Sequence, residues 1–208
     1  MTMMQKFYCE SESFHAYSRK YFNYIGTLLE SVDGKQLENF LALIDSARDS
    51  GNQIFFFGNG GSAATASHFA NDLSIGTRSY KKPYKALALT DNAAVMTAIA
   101  NDDTYDDIFL YQLRNHMNQG DLVIAISASG NSNNVLKAID WANINGGTTV
   151  GLTGFDGGEL KKFANHSLHV PSNTGEYGPV EDVHMIFDHL LGSYLIERLK
   201  QSKEYGSI

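Results

Sequence analysis

The chain contains little cysteine and little proline. Its one cysteine, Cys9, excludes an intrachain disulfide bond and a zinc cluster held by several thiolates. With 3 prolines against 19 glycines among 208 residues, it has no proline-rich linker. No apolar run approaches the roughly 20 residues of a transmembrane helix, and the N-terminus lacks the apolar core of a secretory signal. These absences predict a soluble, cytoplasmic protein with no membrane partner.

Basic side chains are in the minority. The 16 lysines and arginines and the 23 aspartates and glutamates give a net charge of -7, which argues against nucleic acid as the main partner. A phosphorylated small molecule remains compatible, because a local group of backbone N–H donors binds phosphate whatever the total charge. Hydrophobic residues make up 43% of the chain, which is enough for a buried core and argues against general disorder.

Apolar strands alternate with helices along most of the chain. Two segments with a helical period come first, over 12–31 and 35–50. Short apolar runs predict five strands, at 54–57, 86–89, 122–126, 149–153 and 167–170. Helices are predicted between them, and a long helix is predicted over about 180–200. Such alternation is typical of a parallel sheet covered by helices on both faces.

No boundary along the chain favours a second domain. The sequence therefore predicts a single α/β domain over residues 1–208. Its α/β core is expected over about 53–200, and the leading helices, over about 12–50, are expected to form a cap or an oligomer interface.

Two glycine- and serine-rich loops follow predicted strands, where ligands bind in parallel sheets. The first is Gly58-Asn59-Gly60-Gly61-Ser62, and the second is Ser127-Ala128-Ser129-Gly130-Asn131-Ser132. The second offers three hydroxyls beside a helix N-terminus, a combination that suits a phosphate monoester. The alternative is that these serines simply cap the helix. The chain has neither a Gly-Lys-Ser/Thr phosphate loop nor a Gly-x-Gly-x-x-Gly sequence after a strand, which disfavours nucleotide hydrolysis and dinucleotide binding.

Ionisable side chains are grouped on two predicted helices. His68 and Asp72 are four residues apart, so they share one helix face and could hold a metal or act as an acid–base pair. The last helix is otherwise apolar but carries Glu181, Asp182, His184, Asp188 and His189. Spacing does not decide how these groups pair. A partly buried polar stripe at a subunit interface explains them as well as a functional site does.

Taken together, these motifs resemble those of SIS (sugar isomerase) domain proteins, and among them most closely the phosphoheptose isomerases. The resemblance runs from about residue 15 to residue 198. The residues that carry it are Asn59-Gly60-Gly61-Ser62-Ala63-Ala64, His68-Phe69-Ala70, Asn101-Asp102, Ser127 to Ser132, Leu152-Thr153-Gly154, and His184 with His189. It implies a three-layer α/β sandwich with a five-stranded parallel sheet of flavodoxin-like topology.

The resemblance also implies an activity and an assembly. Phosphoheptose isomerases convert sedoheptulose 7-phosphate into D-glycero-D-manno-heptose 7-phosphate, an early step toward the heptose of bacterial lipopolysaccharide or capsule. They form homotetramers, for which a dimer of dimers is one arrangement, with active sites at subunit interfaces. Many members hold one zinc ion per subunit.

Site residues follow from the resemblance position by position. Those implied to bind the sugar phosphate are Asn59, Gly60, Gly61, Asn101, Asp102, Ser127, Ala128, Ser129, Ser132 and Glu181. Those implied to bind zinc are His68, Asp72, Glu181 and His189. Asp72 or Glu181 is expected to abstract the proton that moves between adjacent carbons through an enediol, while His189 acts on the oxygens.

Three positions depart from the family pattern. Asp72 stands where the family has a glutamate, Glu181 replaces a glutamine, and Ala128 replaces a threonine. These changes keep two other functions open. One is an isomerase for a different ketose phosphate in polysaccharide biosynthesis. The other is a non-catalytic SIS-domain adaptor, like the relative that binds a replication initiator.

Overall fold

A computed structural model describes residues 1–206, and from residue 53 onward its strands alternate with helices. The strands are β1 (Gln53–Gly58), β2 (Lys85–Ala88), β3 (Leu122–Ser127), β4 (Thr148–Thr153) and β5 (His166–His169). The helices are α1 (Met3–Cys9), α2 (Phe14–Glu30), α3 (Gly34–Ser50), α4 (Gly61–Asn71), α5 (Ala93–Asp102), α6 (Leu110–His116), α7 (Asn133–Ile144), α8 (Leu160–Phe163) and α9 (Tyr177–Gln201). A π-helical turn, Asp72–Gly76, continues α4.

The five strands form one parallel sheet in the order β2-β1-β3-β4-β5. This is the flavodoxin-like order, so the predicted sheet is confirmed. Because the chain builds outward from β1 in both directions, the order reverses between β1 and β3. Gly58 at the end of β1 pairs with Ile126 near the end of β3, which brings the two glycine- and serine-rich loops side by side.

Side chains alternate between two hydrophobic layers, one on each face of the sheet. On one face Phe56 packs with residues of α3, α4 and α9. On the other face Phe55 and Phe57 pack with residues of α6, α7 and α8. All three phenylalanines are fully buried. Strands covered on both faces read as unbroken apolar runs, which is why they could be located from the sequence.

Three helices, rather than the two predicted, precede the first strand. The predicted pair corresponds to α2 and α3, whereas α1 was not expected. Thr2 and Gln5 form a reciprocal capping box at its start, and seven residues are too few for a helical period to stand out. The buried Glu176 carboxylate accepts hydrogen bonds from the Met3 N–H (2.6 Å) and the Tyr24 hydroxyl (2.5 Å). The leading helices are therefore tied to the residue that precedes α9.

No helix within residues 1–206 combines the length and the apolar character that a membrane span requires.

Candidate active site

A cavity of about 140 Å³ opens where the loops after β1 and β3 meet. Its lining residues are Asn59, Ser62, Ile126, Ser127, Ala128, Ser129, Ser132, Tyr177 and Glu181. The volume holds several water molecules, and so has room for a phosphate group. It lies at the reversal of strand order, the usual position of a ligand site in an open α/β sheet.

The serine loop keeps its hydroxyls close together at the start of α7. The Ser127 Oγ accepts a hydrogen bond from the Gly130 N–H (3.1 Å) and lies 3.5 Å from the Ser132 Oγ. Ser132 is the N-cap residue of α7, yet its side chain makes no capping hydrogen bond within the described residues. The Ser132 hydroxyl is therefore available to an anion, beside the positive end of a 12-residue helix.

Gly130 allows the serine loop to fit against its neighbour. Its backbone is left-handed (φ 65°), and a Cβ at this position would lie 2.0 Å from the carbonyl oxygen of Gly157. A side chain at residue 130 would therefore need both an unfavourable backbone conformation and a shift of the adjacent loop.

Asn59 connects the two loops. Its amide exchanges reciprocal 2.9 Å hydrogen bonds with the amide of the buried Asn134 on α7, and its Oδ1 also accepts from the Tyr105 hydroxyl. Asn59 lines the cavity, but these contacts leave only part of its hydrogen-bonding capacity free for a ligand. Neither Asn134 nor Tyr105 was identified from the sequence, because a partner distant along the chain leaves no local pattern.

Glu181 and the Gly60-Gly61 pair meet at the edge of the cavity. Gly60 is the N-cap of α4 and contributes no side chain to it. A Cβ on Gly61 would lie 2.3 Å from the Glu181 Oε2, so glycine makes room for this carboxylate. Burial, and secondarily the charge of Asp182, raises the pKa of the Glu181 carboxyl group.

Asn101 and Asp102 lie apart from this cavity. They are exposed at the end of α5, where the Asn101 amide donates to the Asp102 carboxylate (2.8 Å). Neither residue is among the described residues that line the cavity. Their predicted contact with the sugar therefore stays a prediction, and nearby Tyr105 connects this part of the chain to Asn59.

A second group of ionisable side chains lies where α4 packs against α9. His68, Asp72, Asp188 and His189 each offer one potential metal-ligand atom, and these atoms all lie within 4.8 Å of one another. The His68 Nε2 is 3.6 Å from Asp72 Oδ2 and 3.8 Å from Asp188 Oδ2. Burial, followed by the charge of Asp72, raises the pKa of Asp188 to about 7. We call these four side chains the His–Asp cluster.

The donors of the His–Asp cluster suit a zinc ion. Two imidazoles and two carboxylates are an ordinary zinc shell. Asp188 is 1% exposed, and its Oδ2 has no hydrogen-bond partner among the described residues. Glu181, which the resemblance implied as a ligand, is not in the cluster. From the sequence, Asp188 is only one of several ionisable groups on the last helix, because spacing alone does not show which of them lies beside His68.

The cavity and the His–Asp cluster lie along the same two helices. Gly61 and Glu181 meet at the cavity, and His68 and Asp188 meet at the cluster. On α4, His68 is seven residues after Gly61, and on α9, Asp188 is seven residues after Glu181. At the α-helical rise, this separates the two contacts by about 10 Å along the helix axes.

A model of the SIS domain family matches residues 20–154. The chain belongs to the SIS-domain family. A phosphoheptose isomerase from Aliarcobacter butzleri is 41% identical over 167 residues, which cover 80% of this chain and 87% of the relative. One from Rhodospirillum rubrum is 38% identical over 149 residues, covering 72% and 78% of the two chains.

Solved structures of phosphoheptose isomerases share the fold of this SIS-domain chain. The one from Francisella tularensis has a TM-score of 0.77 at 25% identity and covers 95% of this chain and 100% of its own. The one from Neisseria gonorrhoeae has a TM-score of 0.74 at 27% identity and covers 93% and 98%. The resemblance drawn from the sequence motifs is confirmed.

A buried histidine on α9, His184, is expected to make the stability of the fold depend on pH. His184 is fully buried; its Nε2 lies 3.3 Å from the Thr153 carbonyl oxygen, and its Nδ1 has no partner among the described residues. Burial lowers the pKa of His184 to about 4, from 6.5 in the unfolded chain. Its contribution to stability is therefore complete above pH 6.5 and is lost as the pH falls toward 4.

We expect the wild type to lose about 3 kcal/mol more unfolding free energy between pH 7 and pH 4 than a His184→Gln variant does. Glutamine is chosen because it keeps a donor for the Thr153 carbonyl and does not titrate. Urea unfolding of both proteins at several pH values measures the difference. Parallel stability curves would show that His184 is not the titrating group.

Proposed function

We propose that this SIS-domain protein is an aldose–ketose isomerase that converts sedoheptulose 7-phosphate into D-glycero-D-manno-heptose 7-phosphate. One observation carries the proposal: a hydroxyl-lined cavity and a cluster of imidazole and carboxylate groups lie about 10 Å apart along the same pair of helices. An open-chain sugar phosphate of this size spans a comparable distance. The curated relatives of similar sequence carry the name phosphoheptose isomerase.

The serine loop would hold the phosphate. Ser127, Ser129 and Ser132 are among the residues that line the cavity, and the start of α7 adds backbone donors and a partial positive charge. Ala128 lines the same cavity without adding a hydroxyl. Binding energy from this remote group would position the reacting carbons at the other end of the sugar.

Asp72 and His189 would carry out the proton transfer. The Asp72 carboxylate takes the proton from one carbon and returns it to its neighbour, and the His189 imidazole exchanges protons with the two oxygens of the enediol. Glu181, whose carboxylate lies at the cavity rather than in the His–Asp cluster, is the alternative base. The His–Asp cluster would hold a zinc ion, which when bound would supply Lewis-acid stabilisation of the developing oxyanion.

We further propose a homotetramer working in the cytoplasm and supplying heptose for a bacterial surface polysaccharide. Exposed aromatic side chains on α2, namely Phe14 (84% exposed) and Phe22 (65%), support an interface there. An apolar groove between α3 and α9, lined in part by Leu37, Leu190 and Tyr194, is a second candidate interface. Large exposed apolar surfaces are typical of association sites.

Turnover of sedoheptulose 7-phosphate by the purified protein tests the function. NMR spectra are expected to show conversion into the aldose, and a parallel screen of five- to seven-carbon ketose phosphates identifies the preferred substrate. Preference for another ketose phosphate would correct the substrate but keep the reaction class. Absence of turnover on every sugar, together with a stable protein partner in pull-down experiments, would favour the adaptor function instead.

A further inference from the structure

We infer that Asp188, and not Glu181, is the second carboxylate ligand of the metal site. The inference rests on the zinc site of the proposed function but not on which sugar is isomerised. It assigns the ligand set His68, Asp72, Asp188 and His189. It also leaves the Glu181 carboxylate free to contact the sugar phosphate.

The strongest support is the environment of the Asp188 carboxylate. This side chain is 1% exposed, and its Oδ2 has no hydrogen-bond partner among the described residues. The same oxygen lies 3.8 Å from the His68 Nε2, so it points into the His–Asp cluster. A buried carboxylate oxygen without a partner is costly, and a cation at the centre of the cluster would offset that cost.

The arrangement of the helices makes the four ligands converge. Asp72 follows His68 by four residues at the end of α4, and Asp188 is adjacent to His189 on α9. Because α4 and α9 pack together, each helix contributes one imidazole and one carboxylate. The rings of His68 and His189 are 5.0 Å apart between centroids, which leaves room for an ion between their nitrogens.

Glu181 has a different environment. It is seven residues before Asp188, about two helical turns closer to the serine loop. Its carboxylate lies against Gly61 at the start of α4 and forms part of the cavity wall. A carboxylate in this place can accept hydrogen bonds from sugar hydroxyls, and it is not one of the four side chains of the His–Asp cluster.

Zinc affinity measured by competition with a chromophoric chelator tests the inference. Asp188→Asn keeps the shape of the side chain and removes its charge, and we expect it to weaken zinc binding by at least tenfold, roughly the effect of losing a supporting group of a metal site. Glu181→Ala, which removes every potential ligand atom at that position, is expected to leave the affinity within about threefold of the wild type. Cobalt(II) substitution adds a spectroscopic readout, since its visible absorption reports ligand number and geometry.

Weaker zinc binding in Glu181→Ala than in Asp188→Asn would overturn the inference, as would a wild-type protein that binds no zinc. If Asp188→Asn does not fold, Asp188→Glu keeps a carboxylate and is expected to retain zinc with a changed cobalt spectrum; an unchanged spectrum would count against Asp188. If neither Asp188 variant folds, loss of zinc from Glu181→Ala overturns the inference, and retention of zinc in Glu181→Ala supports it. Turnover is measured separately, so a protein that binds zinc through Asp188 but isomerises no sugar refutes the proposed function alone.

Discussion

Replacing His189 by alanine is expected to lower kcat on the preferred ketose phosphate by about 10²- to 10⁴-fold, the usual contribution of general acid–base catalysis. Asp72→Asn is expected to have an effect of the same size, because it removes the proposed base while preserving the volume of the side chain. Steady-state kinetics with each variant, alongside its zinc content, separates loss of proton transfer from loss of the metal.

Two matched controls are available. His116 is exposed at the end of α6 and Asp49 is an exposed partner of Lys82, so His116→Ala and Asp49→Asn are expected to keep wild-type kcat. Wild-type turnover in His189→Ala and Asp72→Asn would remove both residues from the mechanism. The base would then have to be sought at the cavity, beginning with Glu181.

The second large effect is expected from Gly130→Ala. The new Cβ would lie 2.0 Å from the Gly157 carbonyl oxygen and 2.7 Å from its carbon, and backbone atoms cannot rotate away as a flexible side chain can. Because the clash with Gly157 and the left-handed backbone of an alanine both carry a cost, we expect the free energy of unfolding to fall by about 3 kcal/mol. Denaturant unfolding measures this loss, and KM for the sugar phosphate is expected to rise because the serine loop must move.

Gly26→Ala is the control for this substitution. Gly26 lies within α2 and has no atom within 4 Å of an added Cβ, so alanine there is expected to stabilise the fold by about 0.5–1 kcal/mol. Equal stability of the two variants would mean that the loop at Gly157 adjusts without cost, and that the conformation of Gly130 does not maintain the phosphate cavity.

The strands were predictable because burial on both faces requires apolar residues at every position. Each predicted strand overlaps the observed one with ends shifted by about a residue, as in β1, predicted at 54–57 and observed at Gln53–Gly58. The serine loop and the pair His68 and Asp72 were also found, since glycine, hydroxyl and i, i+4 patterns are local signals.

Features that depend on contacts between distant residues could not be predicted in this way. The π-helical turn that starts at Asp72 has no sequence pattern of its own, although such turns are frequent at functional sites. Glu181 and Asp188 share the face of α9 that meets α4, and which of them lies beside His68 depends on how the two helices are aligned along their axes. The hydrogen bonds between Asn59 and Asn134 join residues 75 positions apart. In each case the deciding information is the packing of two helices or loops, not the residues next to the one concerned.

The parallel course of α4 and α9 has a consequence for substrate choice. If the phosphate is anchored beside the helix starts and the reacting carbons lie beside Asp72 and His189, two turns further along, the spacing would favour substrates of one length. Ketose phosphates with fewer carbons, held by the same anchor, would stop short of Asp72 and His189. Chain length, more than the stereochemistry of any single hydroxyl, would then separate the substrate from the smaller sugar phosphates of central metabolism.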